Sequence, residues 1–351
     1  MRIGHVNLAS GYRGGERQTE LLIKLLAEQN TNTLEQWVFC RSEKLKKKLA
    51  GIPNIYLIHT PNQLLCHFKA PKLDIVHAHD AKGVHWAFIH KLLLSTPYLL
   101  TRRVPQTINA TGMKKLFYGQ ASQIACISNA IKNGIDSAGF KNTQLIPSSR
   151  ANFIVNKKIV ESLKTSQQGK IIIGQVGALV DKHKGQSVLI EAARIINKKY
   201  SNIEFHFFGS GSDEQYLKDL AKGIDSIKFQ GFKEDIANYI ASFDIFAFPS
   251  FNEGLGSVLL DVMDLEIPIV ASNVDGIPDL IKHKETGLLV DAGKPDQLAN
   301  ALEQIIDAIE GDTRNIDLPK LIANAKVFSD SYDPALMAKA YFSLYNKILN
   351  D

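Results

Sequence analysis

Short runs of β-branched and aromatic residues alternate along this chain with longer segments whose apolar residues recur every three or four positions. In the first half the runs are RIGHVNL, EQWVFC, NIYLIH, DIVHAH, PYLLT, QIACIS and QLIP. Between them lie stretches such as ERQTELLIKLLAEQ, with the spacing of an amphipathic helix. Continuous apolar strands alternating with helices predict parallel sheets joined by helical crossovers. From Pro147 to Gly169 the Ser, Asn and Lys content rises and the rhythm breaks. It restarts with KIIIGQVGAL, IEFHFFG, IKFQG, DIFAFPS, IPIVAS and GLLVD. The pattern predicts an α/β protein of two Rossmann-like domains, residues 1–165 and 166–328. A last helix within 329–351 follows a long connection and is expected to cross back onto the first domain.

A chain of 351 residues suits two cores better than one. The content, 45% hydrophobic and 22% charged, is that of a globular protein, and no apolar run approaches the roughly 20 residues that cross a bilayer. MRIGHVNLAS reads as a first strand and not as a secretory signal. Cys40, Cys66 and Cys126 have unrelated spacings and form no zinc-ligand pattern, which points to a reducing cytoplasm. Charge is unevenly spread. Residues 1–165 carry 23 Lys and Arg against 9 Asp and Glu, or +14, and residues 166–351 carry 18 against 27, or −9. A basic first half suits an anionic partner such as a membrane surface, although a solvated basic face has the same composition.

Open α/β sheets bind ligands beyond the carboxyl ends of their strands. Three loops there have unusual chemistry. After the first strand, GYRGGERQT contains Gly14 and Gly15, where a backbone can approach a ligand closely; an ordinary glycine turn reads the same way. GALVDKHKGQ puts Lys182, His183 and Lys184 just before a helix, where a cation is misplaced unless an anion is bound. Most informative is DIFAFPSFNEGLGSVLLDVM, in which a strand runs through Pro249 and Ser250 to Glu253, then Gly254, Leu255, Gly256 and Ser257, then a helix containing Asp261. Exposed backbone N–H groups at a helix start suit phosphate or sugar oxygens, while an acidic residue there also suits simple capping.

The segments VGALVDKHKGQSVLIEA, FHFFGSGSDEQYLKDLA, IKFQGF, FAFPSFNEGLGSVLLDVM, IPIVASNVDGIPDLI and TGLLVDAGKPDQLANAL, in that order, resemble the retaining glycosyltransferases of family four. Those enzymes have the GT-B fold, two Rossmann-like domains facing each other across a cleft. GYRGGERQT, DIVHAHD, PYLLTRR and ACISNAI in the first half are similar more loosely. The resemblance implies that Glu253 and Asp261 end the family's E-x7-E motif. Glu253 would hold the donor sugar and Asp261 the ribose. Backbone amides from Gly254 to Ser257 would meet sugar and phosphate oxygens, and Lys184 would neutralise the diphosphate. Gly14 and Gly15 would approach phosphate or acceptor from the other domain. No metal and no cofactor is implied, the nucleotide-sugar being a co-substrate. The other partner would be a glycan or glycolipid acceptor in polysaccharide or lipopolysaccharide synthesis, and nucleic acid is not expected.

Three positions depart from the family pattern. Asp261 is a methylene shorter than the usual Glu, and Ala178 replaces a diphosphate-binding Arg. Arg103 stands where many members have a His near the donor sugar, and could supply the cation missing at Ala178. In DIVHAHD, His77 reads as a satisfied core histidine, while His79 beside Asp80 is a candidate acceptor contact or base. Of rival activities, a nucleotide-sugar 2-epimerase is the nearest alternative. A Rossmann oxidoreductase would rest on Gly209 and Gly211 alone, and a silent binding protein on the three departures. For a membrane contact, the basic candidates are Lys44, Lys46, Lys47 and Lys48, and the pair Lys114 and Lys115 beside Leu116, Phe117 and Tyr118.

Overall fold

The computed structural model describes residues 1–29, 33–60, 65–106, 108 and 111–351. Each of the expected apolar runs forms a strand. The first seven are β1 (Arg2–Asn7), β2 (Glu35–Cys40), β3 (Ile55–His59), β4 (Ile75–Ala78), β5 (Tyr98–Arg102), β6 (Gln123–Cys126) and β7 (Thr143–Leu145). The other six are β8 (Ile171–Val176), β9 (Ile203–Phe208), β10 (Ile227–Gly231), β11 (Ile245–Phe248), β12 (Ile269–Ser272) and β13 (Leu288–Val290). They build two sheets of parallel strands, ordered β3-β2-β1-β4-β5-β6-β7 and β10-β9-β8-β11-β12-β13. Both are doubly wound, and the strand order reverses between β1 and β4 in one and between β8 and β11 in the other. Those two reversals are the topological switch points at which such sheets bind ligands.

Two compact units result, residues 1–151 with 332–351, and residues 152–331. The division falls at Ala151, where the sequence suggested residue 165. The helix Lys157–Ser166 goes with the second unit: it is capped by Asn156, whose backbone N–H donates to Asn238 Oδ1 at 2.7 Å. The chain re-enters the first unit where Arg150 N–H donates to the Tyr332 carbonyl at 3.0 Å and its guanidinium pairs with Asp333. Helix Pro334–Asn350 then packs Met337, Tyr341 and Tyr345 with the helix Gly14–Gln29 on one face of the first sheet, over Ile3, Ile75 and Leu99. Strands buried on both faces explain the unbroken apolar runs. The three cysteines are buried and unpaired, and burial lifts the Cys40 thiol to about 11 and the Cys126 thiol to about 12.

Candidate functional site

In the second unit, the switch point is built by the ends of β8 and β11. After β8 a single turn, Asp181–Lys184, leads to Gly185 and the helix Gln186–Ile196. Gly185 has φ +61°, and a Cβ there would lie 2.1 Å from the Pro249 carbonyl, so only glycine lets the two loops touch. The Lys184 carbonyl accepts from Gln175 Nε2 at 3.0 Å, and its stem lies over Gly177. Its ammonium sits 5.2 Å from the Phe248 ring centroid and forms an ion pair with Glu253. Glu253 is held in turn: its N–H donates to Asp275 Oδ2 at 2.9 Å, and its carbonyl accepts from Gly276 N–H at 3.2 Å. Both side chains are partly exposed, 25% for Lys184 and 19% for Glu253. The cation that the sequence left without an anion therefore has one, and the anion is Glu253.

The loop after Glu253 turns through Gly254, the buried Leu255 and Gly256, which has φ +80°, to Ser257 and the helix Val258–Asp264. Asp261 is one turn inside that helix and 4% exposed, so the two carboxylates of the motif occupy different settings, a loop and a helix wall. Ala178 contributes backbone, its carbonyl accepting from Gln186 Nε2 at 2.9 Å. Ser250, whose role the sequence did not suggest, is fully buried with no hydroxyl partner among the described residues. Gly209 and Gly211 are explained by close packing. A Cβ on either would lie 1.9 Å from the Gly177 carbonyl or 2.2 Å from the Leu179 carbonyl, so they need no dinucleotide.

In the first unit the switch point carries Gly14 and Gly15 after β1, His79 after β4, and Arg103 after β5. Gly14 and Gly15 open the helix Gly14–Gln29, and Glu16 reaches back to accept from Arg13 N–H at 2.8 Å. The Arg103 stem lies against Gly15, 3.4 Å from where a Cβ would stand. Its Nη1 donates to Ser148 Oγ at 3.4 Å, while its buried Nε–H has no partner among the described residues. Asp80 caps the helix Ala81–Leu94 by accepting from Gly83 N–H and also accepts from Leu8 N–H, so it is structural.

His79 belongs to a buried cluster with His5 and His77 on the same face of the sheet. His77 is satisfied on both ring nitrogens, by Tyr345 OH and by Thr101 Oγ1, each at 2.7 Å, as a core histidine would be. His5 also uses both, toward His79 Nε2 and Gln36 Oε1, each at 3.0 Å. Burial lowers the pKa of His5 to about 4 and those of His77 and His79 well below the usual range, Arg103 adding to the effect at the latter two. Ring nitrogens of the three lie within 4.8 Å of one another, but with those of His5 and His77 already bonded the cluster is a hydrogen-bond network and not an open set of metal ligands. Nothing local in the chain marks His5 or Gln36, since only the strand register brings His5 to His79 and Gln36 to His5.

The expected basic and aromatic contacts sort differently from their spacing. Phe117 and Tyr118 are buried, Phe117 against Phe88 and Tyr118 with its hydroxyl bonded to Arg102, because that face of the helix Gly112–Gly119 closes the core. Met113 and Leu116 are exposed instead, at 67% and 46%. Lys46 pairs with Glu43 and His59, and the ammoniums of Lys44 and Lys48 lie 5.5 and 5.7 Å from the Tyr12 ring centroid.

Residues 170–308 match the family model described as Glycosyl transferases group 1. A glycosyltransferase of Haemophilus influenzae is 31% identical over 172 residues, 48% of this chain and 47% of that protein. The capsular polysaccharide biosynthesis glycosyltransferase CapM of Staphylococcus aureus is 27% identical over 211 residues, 56% of this chain and 55% of its own. In these alignments the chain spans about half the length of the curated relatives it matches. A crystal structure of Anabaena Alr3699/HepE in complex with UDP and glucose superposes with a TM-score of 0.83, covering 99% of this chain and 100% of the other at 19% identity. Likeness at that identity shows the fold, the paired Rossmann-like units of the GT-B architecture.

Proposed function

We propose that the protein is a glycosyltransferase that moves a sugar from a nucleoside diphosphate to an acceptor hydroxyl, with retention and without a metal, in synthesis of a cell-surface polysaccharide or lipopolysaccharide. The observation that carries this reading is the Lys184–Glu253 pair, held at a topological switch point inside the segment that matches the transferase family. The named role of CapM in capsular polysaccharide biosynthesis and the UDP and glucose bound by HepE support the acceptor and donor classes.

The reaction is difficult because negative charge grows on the departing diphosphate while an oxocarbenium-like centre forms on the sugar. In this reading Lys184 and the backbone N–H groups from Gly254 to Ser257 meet the diphosphate, fixed in place before charge develops. Glu253 holds the sugar hydroxyls and Asp261 the ribose. On the first unit, Gly14 and Gly15 offer backbone to a phosphate or acceptor, Arg103 a cation, and His79 an acceptor contact. The first unit, residues 1–151 with 332–351, is the acceptor side, and the second, residues 152–331, the donor side. No helix of the described residues is long and apolar enough to cross a membrane; the reading is of a cytoplasmic protein that meets an anionic membrane at its inner face.

The test is a panel of uridine, guanosine and adenosine diphosphate sugars, first by thermal shift and then by release of nucleoside diphosphate with and without EDTA. Release that persists in EDTA is expected for one donor class. No release in a single turnover of a donor that binds would leave a silent binding protein, and loss of release in EDTA would remove the metal-free scheme. The epimerase reading finds no support in the relatives above.

A further inference from the structure

Behind His79 the hydrogen bonds run in one direction only. Gln36 donates through Nε2 to the Ile23 carbonyl at 2.9 Å, and a carbonyl can only accept. Its Oε1 is therefore the atom that faces His5 Nε2 at 3.0 Å, which puts the proton of His5 on Nε2. A neutral imidazole carries one N–H, so His5 Nδ1 is left as an acceptor. His79 Nε2, 3.0 Å away, must donate to it. The remaining nitrogen, His79 Nδ1, keeps its lone pair, is buried, and has no partner among the described residues.

We infer that Gln36 and His5 act in series as positioning residues that hold His79 with its proton on Nε2, so that Nδ1 stands as an uncharged acceptor for a hydroxyl of a sugar ligand. The surroundings keep the ring neutral. His77 lies against it with ring centroids 3.8 Å apart, and is itself held by Tyr345 and Thr101, the latter bonded to Tyr341. Arg103 is the one cation among the described residues that acts on it, and opposes protonation. A neutral lone pair at the carboxyl end of β4 takes an O–H donor and rejects a phosphate or carboxylate oxygen. It also distinguishes a hydroxyl from its deoxy analogue, because a buried acceptor left unmatched weakens the analogue's complex. The sugar hydroxyl rests on the function proposed above; the tautomer order does not, being a property of the free protein.

Nitrogen-15 NMR of the full chain labelled at histidine tests both parts. His79, assigned by its loss in His79→Gln, should show a protonated Nε2 and a bare Nδ1 at neutral pH and through the ordinary histidine pKa of roughly 6.5. Its Nδ1 signal should move when the sugar substrate is added. In Gln36→Glu the carboxylate should convert His5 to an imidazolium, whose Nδ1–H then donates to His79 Nε2 and drives the His79 proton to Nδ1. That reversal should lower kcat/KM for transfer at least tenfold and leave the affinity for free nucleoside diphosphate unchanged. Should that variant fail to fold, Gln36→Met, which has no carboxamide acceptor, should give mixed His79 tautomers. A wild-type His79 protonated on Nδ1, averaging between tautomers, or titrating between about pH 6 and 8 overturns the relay. A silent Nδ1 signal in a sample that transfers sugar overturns the hydroxyl contact. Absence of transfer with the tautomer order intact counts against the proposed function and not against the relay.

Discussion

Sixty-nine residues of sequence separate Lys184 from Glu253, and their side chains form one ion pair across the ends of the adjacent strands β8 and β11. Each is anchored through its own backbone as well, Lys184 by Gln175 and Glu253 by Asp275. Two opposite charges fixed in a partly exposed loop add little to stability, about 0–1 kcal/mol. On the function proposed above, their rigidity serves a bound ligand more than it serves the fold.

Glu253→Ala should therefore cost much activity and little stability. Losing the charged acceptor that holds the sugar hydroxyls costs roughly 1.5–3 kcal/mol, or about ten- to hundredfold in rate, while thermal unfolding should shift by no more than a weak, partly exposed pair allows. Circular dichroism with temperature and release of nucleoside diphosphate check the two sides. Wild-type turnover in a folded variant, or a large loss of stability, would make the pair a structural one.

Asp261 should report on the nucleotide and not on the chemistry. It is 4% exposed on a helix wall, apart from the loop that carries Glu253. Losing a hydrogen bond to a charged group costs roughly 1.5–3 kcal/mol, so Asp261→Ala should weaken nucleoside diphosphate binding about ten- to hundredfold. Asp261→Glu, which keeps the carboxylate and adds one methylene, should keep most of the affinity. Calorimetric titration with the free nucleoside diphosphate decides this, and equal affinity in wild type and Asp261→Ala removes Asp261 from the ribose.

Acid should destabilise the first unit earlier than carboxylates alone would. Burial holds His5, His67, His77, His79 and His90 below the ordinary histidine pKa, with His5 and His90 at about 4. In the unfolded chain each returns to roughly 6.5. Below that pH the unfolded state binds more protons than the folded one, so stability falls as pH falls. For His5 and His90 the loss continues down to about pH 4. Each group removes up to about 1.4 kcal/mol per pH unit within its window. Both tryptophans, Trp37 and Trp86, lie in the first unit, so their fluorescence reports its unfolding. The urea midpoint should drop between pH 7.5 and pH 5, and His90→Phe should flatten the drop. A midpoint that ignores pH in that interval contradicts the burial of these rings as neutral groups.

Which parts of this molecule could be read from its sequence follows from how local their causes are. The strands were legible because burial on both faces leaves unbroken apolar runs, as in IIIGQV or IFAF. Lys184 and Glu253 were legible as loop chemistry at strand ends, but their pairing was not, because it depends on β8 and β11 being neighbours. His5 and Gln36 carry no local signal at all: one is a polar residue in an apolar strand, and only the register brings it to His79. The unit boundary at Ala151 was missed because the helix Lys157–Ser166 reads as a linker by composition, and its Asn156 cap finds its partner at Asn238. Counting charge overstated the free cations, since Lys46 is already paired with Glu43.

That sorting moves the expected membrane contact to the helix Gly112–Gly119. Its buried side holds Phe117 and Tyr118, and its exposed side holds Met113, Lys114, Lys115 and Leu116. The neighbouring helix Ala81–Leu94 is tied to its end by Lys91 Nζ on the Gln120 carbonyl at 2.7 Å, and exposes Leu92 and Leu93 at 68% and 51%. Apolar side chains beside lysines suit an interface in which the former enter the headgroup boundary and the latter meet anionic lipid. Each basic residue near such a surface contributes about 1 kcal/mol, so Lys114→Gln with Lys115→Gln should weaken vesicle binding about thirtyfold. Met113→Ser with Leu116→Ser should weaken it in a way that salt does not mimic. The cluster Lys44, Lys46 and Lys48 faces Tyr12, Glu43 and His59, so changing it to Gln should matter less. Sedimentation with anionic and neutral vesicles at low and high salt measures all three. Binding only to anionic vesicles, fading with salt and lost first through the Gly112–Gly119 helix, is the expected result. Equal loss from both lysine groups would mean diffuse attraction by a basic domain, and no binding at low salt would remove the membrane from the account of the acceptor.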